Sequence, residues 1–279
     1  IVSRYDVDGI HIDDYFYPYP VADPATKKEI DFPDDASWNA DRDRPAGISR
    51  ADWRRGNINR LIEQMYQTTK RIKPHVLVGI SPFGIPRPGL PAGVKGFDQY
   101  EKLYADAVHW LNEGWCDYWT PQLYWKVDAP GQPYEPLLKS WIGQNTKKRH
   151  VWPGLSVSRV SEGGYTPDEI VRQIEITRKT RGASGNVLFS MKALMSDARK
   201  IGPRLAEGPY REPALVPPSG WLEAKAPGVA QVIEHPEGKL VLKAGPGEPP
   251  FVWAVWIKRG GTWTFTVAPA EPNGVSVDI

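Results

Sequence analysis

The chain has 279 residues, 41% of them hydrophobic, and a net charge of +2, which suits one large or two smaller globular domains. So even a charge balance offers no basic stripe to track phosphates, so nucleic acid is not an expected partner. One cysteine, Cys116, excludes an internal disulfide and a cysteine-based metal cluster, and no stretch reaches the ~18 apolar residues of a membrane span.

The sequence opens inside "IVSRYDVDG", without Met, as a helix end running into a strand. A targeting signal is expected to lie outside it. The first element, Asp8–Asp13 (DGIHID), is a short apolar run bounded by acids and is predicted as a strand. A polar loop rich in Pro and Asp, Tyr15–Ile48, follows; a connection that long inside a compact domain is usually functional. Ser49–Ile72 places Ile58, Leu61, Ile62, Met65, Tyr66 and Thr69 at helical spacing behind Ser49 as N-cap. Val76–Ser81 (VLVGIS) is the second strand. Asp98–Glu113 reads as one helix ending at Gly114. Asp117–Tyr124 (DYWTPQLY) and Val151–Ser158 (VWPGLSVS) are the third and fourth strands. Thr166-Pro167-Asp168-Glu169 signals a capping box and a helix to about Thr180, and Asn186–Met191 (NVLFSM) is the fifth strand.

Strand and helix alternating in this way predict an α/β fold with parallel strands and right-handed crossovers. Five units do not close an eight-stranded barrel, and a half-barrel exposes two edges. Residues 1–208 are therefore read as strands 4–8 of a (β/α)8 TIM-type barrel, its first three βα units absent from this sequence. "REPALVPPSG" then reads as a linker. The runs Gly238–Lys243, Phe251–Lys258 and Thr262–Val267, the last two flanking Arg259-Gly260-Gly261, predict a small antiparallel β-module over 209–279. Trp253, Trp256 and Trp263 are either its core or a binding face.

Chemistry in a parallel barrel sits at the C-terminal strand ends. Of the five windows, only the first ends in acids, Asp13 and Asp14, followed by Tyr15, Phe16, Tyr17 and Tyr19. Strand alternation puts Gly9, His11 and Asp13 on the inward face and Ile10 and Ile12 toward the helices. Asp14, where the chain leaves the sheet, can turn to the mouth. The other windows offer Ser81, then Gln122, Tyr124 and Trp125, then Ser156 and Ser158 with Glu162 further out. His11 has no companions at metal spacing. No G-x-S-x-G, G-x-G-x-x-G or Walker pattern occurs. No metal or other cofactor is expected.

The ordered motifs "RYDVDGIHIDDYFYPYP", "FPDDASW", "SRADWRRGNINRLI", "GISPFGIPRPG", "DYWTPQLYW", "HVWPGLSVSRV" and "GNVLFSMKAL" resemble the glycosyl-hydrolase-like family 10, bacterial TIM-barrel proteins of the cell envelope, over residues 1 to about 205. The resemblance implies that the first motif is the fourth barrel strand. It also implies that 209–279 is a fibronectin-type-III-like sandwich, that the protein is extracytoplasmic, and that its partner is a cell-wall glycan, since a relative acts on peptidoglycan strands stripped of peptides. The first motif is also similar to the "DGxDxDxE" strand of family-18 chitinases, with Asp13 at the last Asp but Tyr15 in place of the acid Glu. The adjacent pair resembles hexosaminidases that use two neighbouring acids.

The resulting expectation is substrate-assisted hydrolysis of an amino-sugar glycan. Asp13 orients the 2-acetamido group and Asp14 is the general acid/base. Tyr124 bonds the acetamido oxygen; Tyr15, Tyr17 and Trp125 are sugar platforms; Gln122, His11 and Ser81 bond hydroxyls or hold the acids. The alternatives are a direct nucleophilic Asp13 with its acid upstream or at Glu162, and a non-catalytic glycan binder.

Overall fold

A computed structural model describes residues 1–222, 225–235, 239–271 and 274–278. These fall into two units, Ile1–Arg204 and Leu205–Ile279. The strands of the first unit are β1 (Gly9–Ile12), two-residue β2 (Val21–Ala22) and β3 (Glu29–Ile30), β4 (Leu77–Ile80), β5 (Tyr118–Trp119), β6 (His150–Val151), β7 (Gly154–Ser156) and β8 (Val187–Phe189). The main sheet runs β1-β4-β5-β6, all parallel, and β7 pairs in parallel with β8. Single bridges from Phe83 to Gln122 and from Gln122 to Gly154 carry the ladder across the gap. The five predicted runs thus lie side by side in chain order, as a partial TIM-type barrel requires.

The strands are shorter than the apolar runs that predict them. Pro121 ends β5 and Pro153 separates β6 from β7, because proline offers no N–H to the ladder. Ser158, read as strand, instead opens a one-turn helix, while the face assignment follows the period of two. Val78, Ile80, Trp119, Val151 and Leu155 are fully buried on one face. On the other, His11, Tyr118, Trp152 and His150 form a ladder of stacked rings, with centroids 5.7, 4.7 and 5.1 Å apart. Gly79 makes that ladder possible: a Cβ there would lie 1.9 Å from Tyr118 Cζ. Gly79→Ala is expected to displace the Tyr118 ring from His11 and destabilise the fold by about 1–3 kcal/mol, measured by chemical denaturation.

Helix α1 (Asp35–Ala40) and the β2–β3 ribbon give structure to what reads as a plain loop over 15–48. Helix α2 (Arg50–Ile72) starts as predicted, Ser49 accepting from the Asp52 N–H, and buries Ile58, Ile62 and Thr69; Leu61 faces solvent. The helix expected over Asp98–Glu113 is two, α3 (Gln99–Lys102) and α4 (Ala107–Glu113). Tyr104 adopts a left-handed backbone between them, and Asp106 starts the second by accepting from the His109 N–H. Helix α5 (Tyr134–Gln144) sets Trp141 against Trp119, and α6 (Ser158–Ser161) precedes α7 (Pro167–Lys179). Thr166 caps α7 as predicted, but Glu169 does not close the box: its carboxylate accepts from the Val127 N–H at 2.7 Å and so ties α7 to the loop after β5.

The long β1–α2 connection is clamped to α2 by one buried cation. Arg54, 2% exposed, donates to both oxygens of Asp34 (2.9 and 2.7 Å), to Asp31 (2.7 Å), to the Tyr104 hydroxyl (2.5 Å) and to the Phe32 carbonyl (3.1 Å). Arg50 adds a second contact to Asp34. Burial alone would raise the Asp34 carboxyl, but the Arg54 and Arg50 hydrogen bonds outweigh it and bring the pKa down to about 2 from an ordinary 3.8. A carboxyl depressed on folding stabilises above its unfolded value, and that contribution fades as pH falls through the folded one. Loosening of this connection is therefore expected between about pH 4 and pH 2, followed by tryptophan fluorescence, and is expected to flatten in Asp34→Asn.

In the second unit, β9 (Gln231–His235), β10 (Lys239–Lys243) and β13 (Val275–Asp278) form an antiparallel sheet in the order β13-β10-β9. β11 (Val252–Arg259) and β12 (Thr262–Pro269) form the predicted hairpin. Its turn is the two residues Gly260-Gly261, at φ 53° and 87°, the left-handed pair that a two-residue hairpin turn requires. Gly238, the start of the first predicted run, lies outside the described residues. Trp256 and Trp263 are 56% and 61% exposed, so they are not core; Trp253 is half-buried.

Candidate functional site

β1 delivers the two acids into different surroundings. Asp13, exposed, keeps the inward side of the strand. Its Oδ1 accepts from Gln122 Nε2 at 2.7 Å and from the Asp14 N–H at 2.9 Å. Gln122 is placed by bridges to Phe83, just past β4, and to Gly154, the first residue of β7, and its amide also donates to the Ser81 carbonyl at 3.2 Å. Asp14 is the reverse case. It is 3% exposed, and its Oδ2 accepts a short hydrogen bond from the Tyr19 hydroxyl.

That difference sets their chemistry. Burial raises the Asp14 pKa, the hydrogen bond from Tyr19 opposes the rise, and the Asp13 charge adds to it. Asp14 therefore keeps its proton to higher pH than an ordinary carboxyl. Tyr124 is pushed up as well, first by burial and then by both aspartates, so its hydroxyl stays a donor beside them. Its ring stacks on Phe189 at 5.8 Å. His11 shares a 3.1 Å hydrogen bond with Tyr118. It keeps one side open to solvent, yet the protein around it lowers its pKa against the opposing pull of Asp13.

An aromatic run crosses the same end of the sheet: Tyr15 against Tyr19, Tyr19 on Phe97, Phe97 against Phe83, and Phe83 against Trp125, at 5.5, 5.1, 5.2 and 5.6 Å. Tyr15 is 71% exposed. Gly84 lets Trp125 approach: a Cβ there would meet its ring at 2.6 Å.

The structure thus brings together Asp13, Asp14, His11, Gln122 and Tyr124, with Tyr15 and Trp125 at the two ends of the aromatic run. Two residues read as substrate contacts stand differently. Ser81 is buried and its hydroxyl donates to the Thr120 carbonyl at 3.0 Å, so it reaches the site only through its own carbonyl. Tyr17 turns away from the acids, its ring edge-on to Phe32 and Tyr104 and its hydroxyl toward Asp34 at 3.5 Å. Glu162 is exposed just beyond α6. Sequence reasoning places Tyr19 in the aromatic cluster without giving it a role, and it misses Phe83 and Phe97. Phe83 lies two residues past the second predicted strand, which is signal enough; Phe97 sits in a loop with no periodicity to point it out. Among the described residues, no three His, Cys, Asp or Glu side chains gather to hold a metal ion, and no helix is long and apolar enough to cross a membrane.

A parallel sheet with paired acids and aromatics at its C-terminal end is an arrangement found in glycoside hydrolases. The family model Glycosyl hydrolase-like 10 matches residues 1–168, and the chain belongs to that family. It is similar to Glycosyl hydrolase YngK of Bacillus subtilis (strain 168), 36% identical over 256 residues that cover 86% of this chain and 48% of that protein. It is also similar to Glycosyl hydrolase DigH of Escherichia coli (strain K12), 32% identical over 204 residues, covering 68% of this chain and 44% of the relative. The chain spans about half the length of the curated relatives it matches. All the candidate site residues named above lie inside the family match, and the second unit lies outside it.

Proposed function

We propose that the chain acts as a glycosidase on an amino-sugar glycan of the bacterial cell wall, outside the cytoplasm, with Asp13 and Asp14 as its working pair. One observation carries this reading: neighbouring acids at a parallel strand end, one open and held by an amide, the other buried, capped by a tyrosine and slow to ionise. Such a division of environments separates a charged carboxylate from a proton donor. In the proposed reaction Asp14 gives its proton to the glycosidic oxygen as the bond to C1 breaks. The carbonyl oxygen of the substrate's own 2-acetamido group attacks C1, while Asp13 holds the acetamide N–H and balances the charge that develops there. Water, deprotonated by Asp14, then opens the cyclic intermediate. Tyr124 donates to the acetamido oxygen, and Tyr15 and Trp125 carry sugar faces.

A second reading makes Asp13 a direct nucleophile, favoured by its open inward position. A thiazoline analogue of N-acetylglucosamine separates the two, inhibiting only where the acetamide takes part. The glycosidase reading itself is tested by incubating the protein with peptide-free peptidoglycan strands and with chitin-type oligomers. New reducing ends are expected; retained binding without any new ends would favour a glycan-binding role.

A further inference from the structure

Beside the acids, a cavity of about 160 Å³ opens between the β1–α2 connection and α3. Both segments follow C-terminal strand ends, so the cavity lies on the side of the sheet where Asp13 and Asp14 sit. Tyr19 is one of its walls, and the hydroxyl of that same ring holds Asp14. Tyr17, Phe32 and Tyr104 form an aromatic box, Tyr17 meeting the other two edge-on at 5.1 and 5.0 Å. The polar ends of the two tyrosines are already committed, Tyr17 to Asp34 and Tyr104 to Arg54. They therefore have rings, not hydroxyls, left to offer, and the Arg54 clamp fixes them beforehand. At the rim, Lys102 pairs with Glu29 at 2.6 Å, both about half exposed. Val21, Ile30 and Phe32 stand 63%, 53% and 40% exposed around the opening.

The cavity is well below the ~300–1,000 Å³ of a drug-sized site, which fits a single ring. Apolar ring faces inside and a charged, hydrogen-bonding rim suit a pyranose, whose C–H face stacks on aromatics while its hydroxyls stay near water. We propose that this cavity is an accessory sugar subsite, taking one residue of the glycan chain whose reacting link lies at Asp13 and Asp14. The proposal rests on the glycosidase reading and deepens it: the subsite extends the bound chain past Tyr19, so the protein favours polymers over short fragments.

The test is equilibrium binding of thio-linked N-acetylglucosamine oligomers, which resist cleavage, to the full chain and to two variants. Phe32→Ala removes a wall but keeps the carbonyl that Arg54 uses; Ile30→Trp fills the opening from the exposed ribbon. Both are expected to weaken the longer oligomers about tenfold and leave the disaccharide unchanged. If Phe32→Ala loosens the loop, Ile30→Trp still reports. Unchanged affinity for long oligomers in both variants, or no length dependence in the wild type, overturns the subsite. Length-dependent binding that both variants abolish, without turnover of the oxygen-linked oligomers, would instead sink the glycosidase reading and leave the subsite standing.

Discussion

Asp14→Asn is expected to reduce cleavage of an amino-sugar glycan by about 10²–10⁴-fold, the usual contribution of a positioned proton donor. The substitution keeps the size of the side chain and removes the acidic proton, so glycan affinity should change little. The loss should appear in kcat, since the donor acts only as the leaving oxygen takes on charge. Tyr19 supplies a second, independent check. Its hydrogen bond stabilises the charged form of Asp14 and partly offsets the rise caused by burial. In Tyr19→Phe the Asp14 pKa should climb further. Activity that depends on protonated Asp14 falls as pH rises through that pKa, so the alkaline limb of the rate profile should move to higher pH. A purely structural Tyr19 would lower the rate without moving the limb.

Arg54→Met is expected to cost about 3–5 kcal/mol, measured by urea denaturation, because it leaves the buried Asp34 carboxylate without its main partner. Arg54→Lys should fare little better: an ammonium cannot reproduce the fork that reaches both oxygens of Asp34 together with Asp31, Tyr104 and the Phe32 carbonyl. Arg50, which also meets Asp34 but has a side chain 25% exposed, makes the contrasting case. Arg50→Met is expected to lose about 1 kcal/mol or less. The functional consequence follows from geometry. The segment that Arg54 clamps carries Tyr17 and Phe32, two walls of the cavity beside Tyr19. Glycan binding should therefore weaken in Arg54→Met at temperatures where the fold is still intact.

The parts of the fold that depend on local periodicity could be read from the sequence. The five short runs alternate with helical patterns, and Ser49, Thr166 and Gly114 mark helix ends where the structure has them. The pair at 13–14 stood out because only one strand end carries acids, and strand alternation put His11 and Asp13 on the same side. What escaped depends on partners distant in sequence. Arg54 sits on a helix where charged residues normally face water, and nothing local says that Asp34, twenty residues earlier, folds back to meet it. Tyr17 and Tyr19 look alike in "YFYPYP", yet one turns to Asp34 and the other to Asp14. Pro18 between them lets the connection change direction, and the sequence does not say which ring goes where. The break at Tyr104 was hidden for a related reason. An apolar pattern with helical spacing continues across it, while the Asp106 cap that restarts the helix reads equally well as a solvated acid.

Rates for two N-acetylglucosaminides, one with a dinitrophenyl leaving group and one with a sugar, separate the roles of the two aspartates. Dinitrophenolate leaves without needing a proton. In kcat/KM, which reports the steps through cleavage of the first bond, Asp14→Asn should thus stay within about tenfold of wild type on the first and fall at least a hundredfold on the second, whereas Asp13→Asn should fail on both. Near-wild-type rates on both substrates in both variants would contradict the assignment of chemistry to this strand end.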